Sequence, residues 1–276
     1  MLHVVGRTQE GLHHLQTLMY LMPGPDKLVF HPANSWKFTV NGSFPEIPVE
    51  NNLVIQALQF MQNQGLLPSG GAHICLEKHV PLSSGVGGGS ANAATTIKGL
   101  LDFFRIRLNP GQARKIVQSS ASLGADVPVC LAYLLQPEKN LFWLDGTGKE
   151  GTPQAFGTPF DLPVLLVNPK VPLSTPHVFQ AFQEAGAAYV GRKELPPTGN
   201  LMPFLGSAEN TLTPFSCTLA PEVGDILNTL SSQPGCFFSR MTGSGATCFA
   251  VFETPAACRV AYEVIQACQP QWWVYS

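Results

Sequence analysis

The sequence predicts an α+β protein in two parts, and three observations carry that expectation. Strand-length and helix-length segments alternate along all 276 residues without internal repeats. A stretch rich in Gly and Pro at residues 146–159 separates two such series. No apolar run reaches the ~18 residues of a membrane helix, and the longest, such as 162–167, have strand length.

The elements follow in chain order. Residues 27–31 and 36–40 predict short strands of a hairpin or meander, bounded by Pro23-Gly24-Pro25 and Asn41-Gly42. Asn52 is placed to cap a helix over 53–64, with apolar Val54, Ala57, Leu58 and Met61 on one face. Gly65 and Pro68-Ser69-Gly70-Gly71 end it, and alternation about Ile74 and Leu76 predicts a strand over 72–78. A glycine-rich loop and a helix over 91–104 follow, then a helix from Pro110 to Gly124. Residues 129–135 and 140–144 read as strands. The second part, divided from the first at 157/158, begins with a strand over 162–167. Helices over 175–184 and 222–230 come next, and 186–206 reads as a polar surface excursion. Strands over 236–241 and 247–252 flank Thr242-Gly243-Ser244-Gly245, an amphipathic helix covers 255–268, and 272–275 forms a last strand.

Composition narrows the function. Sixteen basic residues against eighteen acidic ones leave no global reason to bind nucleic acid. At 45% hydrophobic residues the chain is too apolar for disorder. Met1-Leu2-His3-Val4-Val5-Gly6-Arg7 lacks the zones of a signal peptide, which favours the cytoplasm. The cysteines number seven and are widely spaced without C-x-x-C, so buried reduced thiols are expected rather than a disulfide framework or zinc site. No histidine spacing suggests a metal, and nothing in the sequence sets an oligomeric state.

Ser83-Ser84-Gly85-Val86-Gly87-Gly88-Gly89-Ser90 joins a predicted strand to a predicted helix. Glycines in a row let backbone N–H groups point inward with no Cβ in the way, and the helix end adds unpaired N–H groups and a positive dipole. A triphosphate suits such a cradle, and a tight turn would not need four glycines within five residues. The Walker A pattern requires Gly-Lys-Ser/Thr, and here Ser90-Ala91 follows Gly89. A dinucleotide site is the weaker alternative, because Asp102 lies inside the helical run instead of ending a strand.

Pro81-Leu82-Ser83-Ser84-Gly85-Val86-Gly87-Gly88-Gly89-Ser90-Ala91, with Asn92-Ala93-Ala94 after it, resembles the nucleotide loop of the GHMP kinases. Gly6-Arg7, Gly11-Leu12-His13-His14-Leu15-Gln16-Thr17, Asn52-Leu53-Val54, Leu123-Gly124-Ala125-Asp126-Val127-Pro128, Pro176-x-x-Phe179 and Thr242-Gly243-Ser244-Gly245-Ala246-Thr247-Cys248-Phe249 agree with the family in order. They are similar to the branch whose acceptor is 4-diphosphocytidyl-2-C-methyl-D-erythritol, in non-mevalonate isoprenoid synthesis. The resemblance implies an N-terminal domain (1–157) with a left-handed β-α-β element and a C-terminal α+β domain (158–276) with an antiparallel sheet. Small-molecule acceptor and ATP would meet in the cleft between them, with no nucleic acid or membrane involved.

The resemblance also implies roles. Asp126, one of six aspartates, would serve as base or orienting group for the attacking hydroxyl. From the residues alone a helix N-cap before Pro128 is the favoured reading, and only the resemblance reverses that order. Pro81 to Ala91 would wrap the triphosphate; Ser90 could touch the Mg²⁺ that neutralises it or cap the helix, and no protein ligand set for the metal is readable. Gly243 and Ser244 would lie near the transferred phosphate. His13 would hydrogen-bond the cytosine and Phe179 would stack on it, where the plain alternatives are a strand histidine and a core phenylalanine.

Three departures from the family pattern stand out. A strand bearing Pro-Ala-Lys-Ile/Leu-Asn-Leu is expected just upstream of the segment like Leu2–Arg7, and Met1 falls after it, so the family's lysine and asparagine have no counterpart. Loss of such a charge-stabilising group commonly costs ~10²–10³ in rate. Leu12 replaces a tyrosine, and Glu209-Asn210-Thr211 stands where the family has Asn-Asp. A GHMP kinase with another small alcohol acceptor and a non-catalytic nucleotide-binding remnant are the alternatives.

Overall fold

A computed structural model describes residues 1–47, 52–147, 153–156, 160–194 and 201–276. The chain opens with an antiparallel pair, β1 (Leu2–Arg7) and β2 (His13–Tyr20), Leu2 lying opposite Thr17. Next come β3 (Lys27–Ala33), β4 (Lys37–Gly42), α1 (Leu53–Asn63) and β5 (Gly71–Lys78). The expected hairpin of the two short strands does not form: β3 and β4 both flank β5, the first antiparallel and the second parallel. Alternation marks a strand without naming its neighbour. Gly71 lets β5 enter between them, because a Cβ there would lie 2.2 Å from the Ser35 carbonyl carbon. Asn52 caps α1 as expected, accepting from the Val54 N–H at 2.9 Å.

After β5 the chain runs through the glycine loop into α2 (Gly88–Phe103), then α3 (Pro110–Ser119), a 3₁₀ turn over Ser120–Leu123 and α4 (Val127–Leu135). α3 begins with a reciprocal capping box between Asn109 and Gln112. The strand expected at 129–135 is instead α4. A short continuous apolar run reads equally as buried strand or buried helix. Pro128 in the first turn was the deciding signal. α4 packs against α2, and Val54, Met61, Ile74, Leu76, Ile97, Leu100 and Leu131 meet in one core.

β6 (Leu141–Gly146) joins β2, and β7 (Gln154–Ala155) joins β6. Then follow β8 (Val164–Asn168), α5 (Thr175–Glu184), α6 (Leu201–Ser207), α7 (Thr213–Leu219) and α8 (Glu222–Ser231). The chain ends in β9 (Cys236–Met241), β10 (Cys248–Phe252), α9 (Pro255–Cys268) and β11 (Trp273–Tyr275). An antiparallel sheet of order β11-β8-β10-β9 buries Leu165, Val167, Cys248 and Ala250 against Val178, Phe182, Ile226 and Ile265. The supposed surface excursion contains α6, whose Leu201 and Leu205 are buried, while 195–200 and the 157/158 division lie outside the described residues.

β1 forms over Leu2–Arg7, a segment to which the sequence reading assigned no element. Val4 is fully buried in the core of the C-terminal sheet. The Leu2 N–H donates to Glu209 O at 3.2 Å, the Leu2 carbonyl accepts from Thr211 N at 3.0 Å, and Val4 O accepts from Val190 N at 3.0 Å. The first strand thereby belongs to one sheet by register and to the other core by packing. No helix among the described residues is long and apolar enough to cross a membrane.

Gly99 sets the seat of α2 on the three-stranded sheet, because a Cβ there would come within 2.3 Å of the Phe30 ring. Gly99→Ala is expected to cost about 1–3 kcal/mol by overpacking, despite better helix propensity. The urea midpoint measures it, with far-UV circular dichroism unchanged.

Candidate active site

The glycine loop forms between β5 and α2, as the sequence requires. Pro81 and Ser84 are buried, Leu82 and Ser83 are exposed, and Val86 is half-buried. Ser83, Gly85 and Gly87 take positive φ of 49°, 74° and 69°. α2 begins at Gly88, three residues earlier than predicted, so Gly88, Gly89, Ser90 and Ala91 make its first turn. The N-cap is Gly87, which has no side chain to bond the free N–H groups. That excludes the reading of Ser90 as the cap. The helix end is thus an anion cradle whose N–H groups no capping side chain takes. Its form fits a triphosphate, whose phosphates the N–H groups of Gly88, Gly89 and Ser90 would hold.

The second glycine turn packs against the first, backbone to backbone. A Cβ on Gly85 would lie 2.5 Å from Gly245 O and 2.7 Å from Thr242 O; one on Gly243 would lie 2.6 Å from Gly85 O. Thr242 Oγ1 donates to Gly85 O at 3.2 Å, and Thr247 N donates to Ser84 O at 3.1 Å. Ser244 is buried, its hydroxyl 2.6 Å from Thr175 Oγ1 at the start of α5, and its carbonyl accepts from Ser216 Oγ at 3.0 Å.

Asp126 sits at the N-cap position of α4, but its side chain makes no capping hydrogen bond. The carboxylate turns to the cradle instead: Oδ2 lies 3.7 Å from where a Gly87 Cβ would stand. Burial pushes its pKa above the usual carboxylate range. Cys130, one turn on, is pushed up to about 12 by burial and then by the Asp126 charge. Ser90 Oγ faces the same turn, 3.9 Å from the place of a Gly124 Cβ.

His13 and Phe179 come together although they are far apart in sequence. Their rings stack with centroids 4.6 Å apart and 24° between planes, and His13 Nε2 lies 3.1 Å from the Gln183 side-chain nitrogen. Burial and then the Arg7 charge lower the His13 pKa, favouring neutral imidazole. Leu12 beside it is exposed. A separate cleft of about 280 Å³ opens between Ser83 and the start of α5, lined by Pro172, Leu173, Ser174, His177 and Leu219.

Sequence reasoning missed two supports. Asn210, noted only as a departure, holds the second glycine turn: its amide donates to Met241 O at 2.9 Å and Gly243 O at 2.8 Å, and its oxygen accepts from Leu212 N at 3.0 Å. Lys78 is buried at the end of β5 and ion-paired with Asp26. The alternation that placed Ile74 and Leu76 inward also places Lys78 inward, which was a readable signal. Asn210→Ala leaves buried groups without partners, at about 1–3 kcal/mol each. The measurement is the thermal midpoint, expected to fall, together with a raised KM for ATP as the interlocked turns loosen.

Comparison with known proteins agrees with this geometry. The model of the GHMP kinases N terminal domain matches residues 52–132, and that of the GHMP kinases C terminal region matches 193–269. A 4-diphosphocytidyl-2-C-methyl-D-erythritol kinase of Cereibacter sphaeroides is 36% identical over 99% of this chain and 93% of its own length. One from Rhizobium etli is 36% identical over 99% of this chain and 89% of its own. A crystal structure of 4-(cytidine 5'-diphospho)-2C-methyl-D-erythritol kinase superposes with a TM-score of 0.74 at 25% identity, covering 99% of this chain and 93% of that one. Homoserine kinase from Cytophaga hutchinsonii shares the fold at a TM-score of 0.63 and 13% identity, over 99% of this chain and 92% of that one. With both family models matched, in order, onto the cradle and the sheet that locks it, the chain belongs to the GHMP kinase family.

Proposed function

We propose that this chain transfers the γ-phosphate of ATP to the 2-hydroxyl of 4-diphosphocytidyl-2-C-methyl-D-erythritol, a step of non-mevalonate isoprenoid synthesis. Relatives bearing that activity's name match it over 99% of its length. The observation that carries the reading is the Asp126 carboxylate turned toward Gly87 of the phosphate cradle.

The chemistry follows from that placement. Asp126 accepts the hydroxyl proton as the oxygen attacks the γ-phosphorus. The bond from that phosphorus to the β–γ bridging oxygen breaks, and ADP leaves with the electron pair. The proton then passes to solvent. Because burial raises the Asp126 pKa, the carboxylate is a better base than an exposed one. The N–H groups at the start of α2 hold the triphosphate, and Mg²⁺ bound with ATP neutralises it. Pro81 to Ala91 wrap the nucleotide, and Gly243 and Ser244 close over the transferred group. His13 and Phe179 take the cytosine, with Leu12 as an aliphatic neighbour where the family has tyrosine. Acceptor and ATP meet between residues 1–157 and 158–276. This reading places the chain among cytoplasmic small-molecule enzymes without nucleic-acid or membrane partners.

The test is ADP release with ATP, Mg²⁺ and the cytidyl acceptor, with homoserine and mevalonate as control acceptors. Release is expected with the cytidyl acceptor only; no release from folded protein with any acceptor sinks the reading and favours a nucleotide-binding remnant. Asp126→Asn is expected to lower kcat about 10²–10⁴-fold. In the parent, kcat/KM is expected to fall as pH drops through the raised Asp126 pKa, because only the carboxylate accepts the proton. For Phe179→Ala the acceptor KM is expected to rise by the equivalent of about 1–3 kcal/mol of lost stacking, with the KM for ATP unchanged.

A further inference from the structure

Lys78 is a buried cation that the catalytic account does not use. Its side chain ends β5, and the residue is 3% exposed. The ammonium pairs with Asp26, at the edge of β3. Asp26 also anchors the chain that leads into the loop, Oδ1 accepting from His79 N at 2.6 Å and Val80 N at 2.8 Å. On the other side, Nζ lies 3.3 Å from the place of a Gly88 Cβ. Gly88 is the first residue of α2, and its N–H belongs to the phosphate cradle. A side chain at that position would press on the ammonium, so glycine here admits a charge as well as a phosphate.

The two charges of the pair are not equally spent. The carboxylate has two backbone N–H groups and the ammonium upon it, so its charge is solvated on several sides. The ammonium has three donors, and Asp26 Oδ2 is the acceptor the structure gives it. Its approach to the cradle is on the Gly88 side. Charge held without water near a binding site acts through low dielectric and costs no reorganisation when an anion arrives.

We propose that Lys78 is a positioning residue for the triphosphate, its ammonium held by Asp26 beneath the first turn of α2 so that the cradle is preorganised and positively biased. This deepens the kinase reading and rests on it for the identity of the anion. The Lys78 ammonium lies beside Gly88 and acts through the loop.

The experiment compares two variants of the full chain, Asp26→Asn and Asp26→Asn/Lys78→Met. They differ only in the ammonium, against a background without the buried carboxylate, and buried ion pairs tolerate joint neutralisation. The readouts are calorimetric binding of ADP with Mg²⁺, KM for ATP and for the acceptor, and thermal midpoint. Asp26→Asn is expected to bind ADP at least as tightly as the parent, because its ammonium loses a competing anion. Adding Lys78→Met is expected to weaken ADP binding about tenfold or more and to raise the KM for ATP equally, leaving the acceptor KM unchanged. Equal ADP affinity in the two variants overturns the proposal. So does failure of either variant to fold, which makes the ion pair a structural element. ADP binding needs no acceptor; a parent that binds ADP yet phosphorylates nothing sinks the acceptor reading and leaves this one standing.

Discussion

The close approach of two glycine turns is the constraint on which the site depends. Gly85 and the Thr242–Gly245 turn meet at distances that leave no room for a Cβ on Gly85 or Gly243. The first turn belongs to the strand–helix unit proposed to cradle phosphate, and the second joins two strands of the C-terminal sheet. Locking them backbone to backbone makes one surface from two parts of the chain. Hydrogen bonds from Thr242 and Thr247 fix the register of that contact, and Asn210 holds the second turn from behind. A glycine in such a place gives up conformational entropy on folding, and what it gains is contact that any side chain would prevent. Gly85 and Gly243, the two in backbone contact, also take positive φ of 74° and 56°.

Opposite charges are buried on two sides of this cradle, with opposite consequences. Burial shifts the Asp126 pKa upward, because it disfavours the carboxylate. That is costly for stability and suits the proton-accepting role proposed for Asp126. Lys78 has Asp26, whose hydrogen bond and charge oppose the effect of its burial. Burial wins at both groups, raising the pKa of the acid and leaving that of the lysine below its usual value. An N-cap aspartate whose side chain declines to cap is the visible mark of the first arrangement.

Much of the fold was legible because local patterns and tertiary packing agreed. The Asn52 cap, Pro110 at the start of α3 and Thr254 before α9 mark helices that form where the sequence places them. The segment 129–135 failed because a run without polar residues carries no period, and α4 is buried over most of its first turns. β3 and β4 were found as strands and mispaired, since pairing is decided by β5 arriving from beyond α1. β1 was overlooked because its partners lie at Thr17 and Asn210, the second more than 200 residues away. In the site, the cradle was readable from its glycines alone. Asp126 was ambiguous without the family, and the stacking of His13 on Phe179 could not be read from spacing.

What sequence reasoning treated as a defect also changes meaning in three dimensions. Glu209-Asn210-Thr211 departs from an acidic pattern, yet each residue has work that needs no acid. The Glu209 carbonyl and the Thr211 N–H bind Leu2, Thr211 Oγ1 accepts from Val4 N at 3.3 Å, and Asn210 spans the turn that touches Gly85. This short segment therefore couples β1 to the second glycine turn, and through it to the cradle. Two of those links are side chains, the Thr211 hydroxyl and the Asn210 amide, so the connection is made here by neutral groups and needs no acid.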